Sequence, residues 1–163
     1  QAGARLRHVK AHGALYNQAM DNQELAQLLC QVIYDCDQKL IVLGMPGSAL
    51  ENQVRNMKML WAAEGFADRA YTPEGRLLAR SLPGAVLHDP DAIGRRALTM
   101  ILSGFIPADN ENKAIFADLD SLCVHGDSPG ALAILTRLHE TFLAEGVAVE
   151  TFAGRRLSMS GKA

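Results

Sequence analysis

At 163 residues, with 48% hydrophobic and 21% charged side chains, the chain has the size of one soluble domain able to bury a core. Its 16 basic and 18 acidic side chains leave a formal net charge of -2, which removes the electrostatic reason to expect nucleic acid or an anionic membrane as a partner. There is no apolar run long enough to span a bilayer and no secretory signal pattern, so the expected compartment is the cytoplasm and the expected partners are small molecules or proteins.

Taken in chain order, "RLRHV" from Arg5 to Val9 reads as a short strand with Leu6 and His8 on one face. "DNQELAQLLCQVI" predicts a helix: Asp21 is the N-cap with Glu24 three residues on, and Leu25, Leu28, Leu29, Val32 and Ile33 recur at the spacing of one buried face. "KLIVLGM" is a continuous apolar run too short for a helix, the pattern of a parallel strand buried on both faces and ending at Gly44. "PGSALENQVRNMKML" restarts a helix, with Ser48 and Glu51 as a reciprocal capping box and Leu50, Val54 and Met57 on one side. A strand is expected from Met59 to Ala63, with Met57, Met59 and Trp61 as core.

"EGFADRAYTPEGRLLARSLPGA", residues 64–85, has no sustained period and reads as a long loop, of the kind that carries function in compact domains. His88 reads as structural, just ahead of a helix that Asp89 caps, Pro90 opens and Gly104 stops. "SLCVHGD" is another short buried strand. Asp127 or Ser128 with Pro129 opens a helix through "GALAILTRLHETFLAEG", "VAVETFA" is a last strand, and "GRRLSMSGKA" is a polar tail. Cys30, Cys36 and Cys123 form no CxxC pair and no zinc spacing, and read as reduced thiols, two on a helix and one in a buried strand. Strands alternating with amphipathic helices imply parallel β/α units and hence an α/β domain over residues 1–153, with 154–163 as the tail. The topology is either a doubly wound sheet or part of a barrel.

Ligands of parallel α/β folds gather at the carboxyl ends of the strands, where loops and helix N-termini meet. Three segments are expected there. Lys10, His12 and Gly13 follow the first strand, Glu64, Asp68, Arg69 and Tyr71 the third, and His125 and Asp127 the strand "SLCV". His12 beside a glycine could bind a metal, transfer a proton or simply bond a loop carbonyl. His125 and Asp127 could share a metal, or the aspartate could orient the imidazole, or it could only cap the next helix. Glu64 and Asp68 can serve as acid, base or ligand, and Arg69 supplies a fork for a carboxylate or phosphate. No phosphate-cradling glycine motif occurs.

"HVKAHGALYN", "EGFADRAYTPEGRLLARSLPGAVLHDP" and "LCVHGDSPGA", in this order and spacing, resemble the LamB/YcsF family of lactam-utilisation proteins, which includes the A subunit of 5-oxoprolinase. The resemblance covers nearly the whole chain. It implies an incomplete (β/α) barrel of the polysaccharide-deacetylase-like type. It also implies opening of the 5-oxo-L-proline lactam to L-glutamate, coupled to ATP hydrolysis with partner subunits B and C. The expected catalytic set is His12, His125, Asp127 and Glu64. Lys10, Gly13, Asp68, Arg69, Tyr71 and Arg80 are expected to bind the substrate, and His12 and His125 are the candidates for a divalent metal.

The chain departs from the family at two points. The acidic segments that open family members, "DLNxDxGE", "GFHAGD" and "GAHPSYPD", have no counterpart here, so the chain is expected to be a C-terminal portion that is not fully active alone. Ala11 stands where the family carries proline, which frees the backbone that presents Lys10 and His12. An incomplete barrel leaves strand edges to cover, by another chain or by self-association. Two other functions compete: a metal-dependent deacylase of carbohydrates or amides, and a non-catalytic binding or assembly module.

Overall fold

The computed structural model describes residues 3, 5–107, 114–126 and 130–152. In chain order the elements are β1 (His8–Lys10), α1 (Gly13–Gln18), α2 (Gln23–Cys36), β2 (Ile41–Gly44), α3 (Ala49–Asn56), β3 (Leu60–Phe66), α4 (Pro90–Ser103), β4 (Phe105–Pro107), β5 (Ala114–Phe116), β6 (Ser121–Cys123) and α5 (Ala131–Ala144). The parallel strands follow the order β1-β2-β3-β6, and β4 pairs with β5 in a separate antiparallel ribbon. Parallel strands joined through helices make this an α/β fold, as the alternation of patterns implies. Where the sequence suggests one domain over residues 1–153, contacts group the chain into two compact units. One is Gln1–Ala63 with the segment from Glu150, and the other is Glu64–Val149.

In the first unit, β1 pairs with β2 through His8↔Ile41, and β2 with β3 through Ile41↔Leu60 to Gly44↔Ala63. The first strand therefore sits at His8–Lys10 and not at Arg5–Val9, because pairing with β2 sets its register, so Lys10 ends the strand instead of following it. Ile41, Leu43 and Ala62 form a small core closed by Leu60 and Phe152, whose ring meets His8 edge-on at 5.6 Å. Helix α2 starts one residue later than Asp21 predicts: Asn22 is the cap, and its side chain accepts the Leu25 N–H at 3.0 Å. Its buried seam runs through Ala26 and Cys30, while Leu28 and Val32, expected inside, are exposed because the apolar stripe is wider than the contact it makes.

At α3, Ser48 Oγ accepts the Glu51 N–H at 3.0 Å as predicted. The return bond goes one residue further back, from the Gly47 N–H to Glu51 Oε2 at 2.7 Å, and Glu51 Oε1 takes Arg55. Gly44 admits the Trp61 ring, since a Cβ there would lie 2.7 Å from Cη2. Met59 and Trp61 are core residues as expected.

The second unit is built on the end of β3, which pairs with β6 through Glu64↔Ser121, Gly65↔Leu122 and Phe66↔Cys123. That distant pairing keeps Glu64, Gly65 and Phe66 extended, so the long loop begins at residue 67 and not at 64. The loop is folded on itself. The Ala70 N–H bonds Ala85 O at 3.1 Å, the Leu78 N–H bonds Ala70 O at 3.0 Å, and the Leu87 N–H bonds Asp68 O at 2.9 Å. Asp89 caps α4 through the Asp91 N–H at 3.0 Å, and Gly104 ends it in the left-handed region at φ 69°.

Helices α4 and α5 bury Ile93, Ala97, Ile134, Leu138 and Phe142 against each other and Ala67. They approach closely at Gly94, where a Cβ would lie 2.9 Å from Thr141 Oγ1. The β4–β5 ribbon has strands too short to register in the sequence. The strand expected at "VAVETFA" does not form among the described residues: 147–151 are irregular and Val149 is exposed, since no described strand pairs with them. The capping residues proposed at Asp127 to Pro129 and the polar tail lie outside the described residues.

Cys30 is buried, Cys36 exposed and Cys123 half-buried in a β6 that is only partly covered. Burial pushes the Cys30 thiol from 9.0 up to about 11. The folded chain therefore holds this proton more tightly than the unfolded one, so the stability it contributes is complete below pH 9.0 and lost as pH rises through about 11. Tyr71, also raised by burial, acts in the same direction. Urea unfolding should show stability falling across that window, with a smaller fall in Cys30→Ala. A native thiol assay should label Cys36 first and Cys30 last.

Candidate functional site

The register of β3 against β6 decides which side chains meet. With Phe66 opposite Cys123, continuing both strands by two residues brings Asp68 beside His125. The Ala67 N–H still bonds Cys123 O at 3.2 Å, which carries the alignment past the strand ends. Asp68 is fully buried. Its Oδ2 accepts the backbone N–H of His125 at 3.0 Å, and its two oxygens lie 3.0 and 3.1 Å from the imidazole Nδ1. A carboxylate at that nitrogen favours the tautomer with the proton on Nδ1, leaving the lone pair on Nε2. No described residue bonds Nε2. The His125 side chain is 20% exposed while Asp68 is 0% exposed, so reagents reach the imidazole and not the carboxylate behind it. The Phe66 ring stacks on the imidazole at 5.6 Å and 23°.

Around this pair lies a set of buried polar groups. Glu64 is 3% exposed, inside β3. The Tyr71 hydroxyl accepts the Phe66 N–H at 2.7 Å, and the Arg96 guanidinium lies 6.0 Å from its ring. Burial raises the Tyr71 phenol well above its usual value; the Phe66 bond and the Arg96 charge oppose this, and the Glu64 charge adds to it. Arg69 donates from Nε to Ala85 O at 3.1 Å and from Nη2 to Leu78 O at 2.5 Å. Burial lowers its pKa, as does the charge of Arg80, while Asp68 and Tyr71 oppose the shift. Arg96 donates from Nη2 to Pro107 O at 2.8 Å and to Arg69 O at 3.5 Å, and burial lowers its pKa too.

The arrangement changes two expected roles. Asp68 stands behind His125 with both oxygens engaged and is not placed to meet a substrate. Arg69 spends two of its donors holding loop carbonyls where a free fork was expected. Arg80 is exposed and near enough to Arg69 to depress its pKa.

In the first unit, Lys10 Nζ lies 5.6 Å over the Tyr16 ring. His12 is the N-cap residue of α1, exposed and making no side-chain cap bond. Gly13, at φ 59° with open space around it, takes the chain from strand to helix. His88 is exposed, and Asp127 lies outside the described residues. Among the described residues no group of three or more His, Cys, Asp and Glu side chains could hold a metal ion. The described residues by themselves thus do not assemble the donor set that a divalent cation needs.

Residues 1–156 match the model of the LamB/YcsF family. The chain belongs to the LamB/YcsF family. Among LamB/YcsF relatives, a 5-oxoprolinase A subunit of Pseudomonas syringae pv. tomato is 39% identical over 95% of this chain and 60% of its own length. The 5-oxoprolinase A subunit of Pyrococcus furiosus is 43% identical over 90% of this chain and 57% of its own. The crystal structure of a lactam utilization protein from Thermus thermophilus superposes with a TM-score of 0.84 at 34% identity, covering 92% of this chain and 59% of that one. The chain thus carries a LamB/YcsF fold over about 60% of the length of the relatives it matches. Among the described residues, no helix is long and apolar enough to cross a membrane.

Two residues of this cluster, Phe66 and Arg96, are not among the expected site residues. Phe66 reads as one more apolar residue beyond a strand, until pairing with β6 sets its ring against His125. Arg96 does have a trace: a cation one position from the buried stripe Ile93, Ala97 and Met100.

Proposed function

We propose that this chain serves as part of the A subunit of an ATP-dependent 5-oxoprolinase, which hydrolyses the lactam of 5-oxo-L-proline to L-glutamate in the cytoplasm together with subunits B and C. The observation that carries this reading is the similarity, over 90% or more of the chain, to relatives named for that role. The local chemistry supports it. Lactam hydrolysis needs a base for the attacking water and an acid for the departing ring nitrogen, and a carboxylate-held imidazole supplies both in turn.

In this reading His125 Nε2 takes a proton from water as its oxygen forms a bond to the ring carbonyl carbon. The same nitrogen returns the proton to the ring nitrogen as the carbon–nitrogen bond breaks. Asp68 keeps the imidazole in the tautomer this requires and offsets the positive charge it acquires. Glu64, buried in the same unit, is a second proton-transfer candidate. We assign Arg80 to the carboxylate of the substrate. ATP hydrolysis, coupled through the partner subunits, supplies the free energy for ring opening.

The test is to supply 5-oxoproline and ATP to this chain together with subunits B and C and the upstream portion of a relative. Glutamate should form with wild-type chain, and His125→Ala should lower kcat by about a hundredfold or more. Unchanged turnover in His125→Ala would refute the role given to the imidazole.

A further inference from the structure

We propose that Phe66 and Tyr71 are positioning residues for His125, with the Tyr71 hydroxyl fixing the end of β3 so that the Phe66 ring holds the imidazole face. Phe66 lies beyond Ala63, the last β3 residue paired with β2. N–H groups alternate in direction along a strand, and that of Ala67 bonds Cys123 O on β6. The N–H of Phe66 therefore points to the other edge of the strand, and there it donates to Tyr71 Oη at 2.7 Å.

Tyr71 is itself held. It is 1% exposed, pairs with Leu77 in an antiparallel bridge, and lies 6.0 Å from the guanidinium of Arg96. Arg96 in turn donates from Nη2 to Pro107 O at 2.8 Å and to Arg69 O at 3.5 Å, which anchors that end of the guanidinium. The phenol is thus a rigid acceptor and not a mobile surface group.

Phe66 stacks on His125 at 5.6 Å and 23°, while Asp68 grips the Nδ1 edge of the same ring. Two constraints act in different directions: the carboxylate sets the rotation of the ring in its own plane, and the stacked phenyl sets its tilt. An imidazole held by one alone would sweep Nε2 through an arc, and loose aim of a reacting atom costs rate. The use made of Nε2 rests on the proposed 5-oxoprolinase reading, but the positioning can be measured without turnover.

The experiment is nuclear magnetic resonance of the full chain at one fixed pH, with labelled histidine, comparing wild type with Tyr71→Phe. Protection of the Phe66 amide from hydrogen exchange should fall by roughly tenfold. The His125 ring signals should move towards those of an unstacked imidazole, while those of His8, His12, His88 and His139 stay in place. Phe66→Leu should move the His125 signals in the same way, and Phe66→Tyr, which keeps an aromatic face, should restore them. Should Tyr71→Phe fail to fold, the Phe66 pair reads the stacking half on its own. His125 signals unchanged in Tyr71→Phe and Phe66→Leu overturn the proposal. Shifted signals together with full turnover in His125→Ala leave the positioning standing and locate the failure in the assignment of activity.

Discussion

Replacing Asp68 by asparagine is expected, under the proposed 5-oxoprolinase function, to lower the kcat of the reconstituted assembly by roughly a thousandfold, with KM little changed. The amide has the shape of the carboxylate but only one acceptor oxygen. The backbone N–H of His125, bonded at 3.0 Å to Oδ2, needs that oxygen. The amide NH2 then faces Nδ1, which must turn from donor to acceptor, and the ring proton moves to Nε2. The variant thus keeps its fold and loses the lone pair where the reaction needs it. Folding stability should fall by only about 1–2 kcal/mol, since one charge-assisted bond becomes a neutral one. Steady-state kinetics beside urea unfolding separate the two effects; unchanged kcat would remove Asp68 from the mechanism.

Arg69→Met is expected to lower the stability of the second unit by about 2–4 kcal/mol. Methionine keeps the apolar stem but removes both donors, so Leu78 O loses its Arg69 bond and Ala85 O keeps only the bond from the Ala70 N–H. Taking the guanidinium out of a site that already lowers its pKa returns some desolvation free energy, which keeps the net loss below the sum of the two lost bonds. Residues 72–84 should become the first site of proteolytic cleavage. Urea unfolding with limited proteolysis reads both, and an unchanged midpoint with an intact loop would show that Arg69 does not hold it.

What the sequence disclosed and what it hid divide along a physical line. Elements specified locally could be read: the apolar run at Ile41–Gly44, the Ser48 cap, and the Asp89, Pro90 and Gly104 punctuation of α4. Features set by distant pairing could not. Glu64 to Phe66 look like the start of a loop and become strand only because β6, more than fifty residues on, lies beside them. For the same reason the sequence offers Asp127, the near neighbour of His125, as one candidate to orient its ring, whereas among the described residues the carboxylate on that ring is Asp68. The candidate residues were legible as types at strand ends. Their roles were not, because burial of Asp68 and the carbonyl bonds of Arg69 arise from the folded loop.

The proposed chemistry needs an imidazole whose Nδ1 proton is held by Asp68 and whose Nε2 is left to react. Nitrogen-15 spectra of the histidine rings, recorded on the full chain where His125 is neutral, report that tautomer directly. His125 should show a protonated Nδ1 and an unprotonated Nε2, reversed in Asp68→Asn. A proton on Nε2 in the wild-type chain would contradict it.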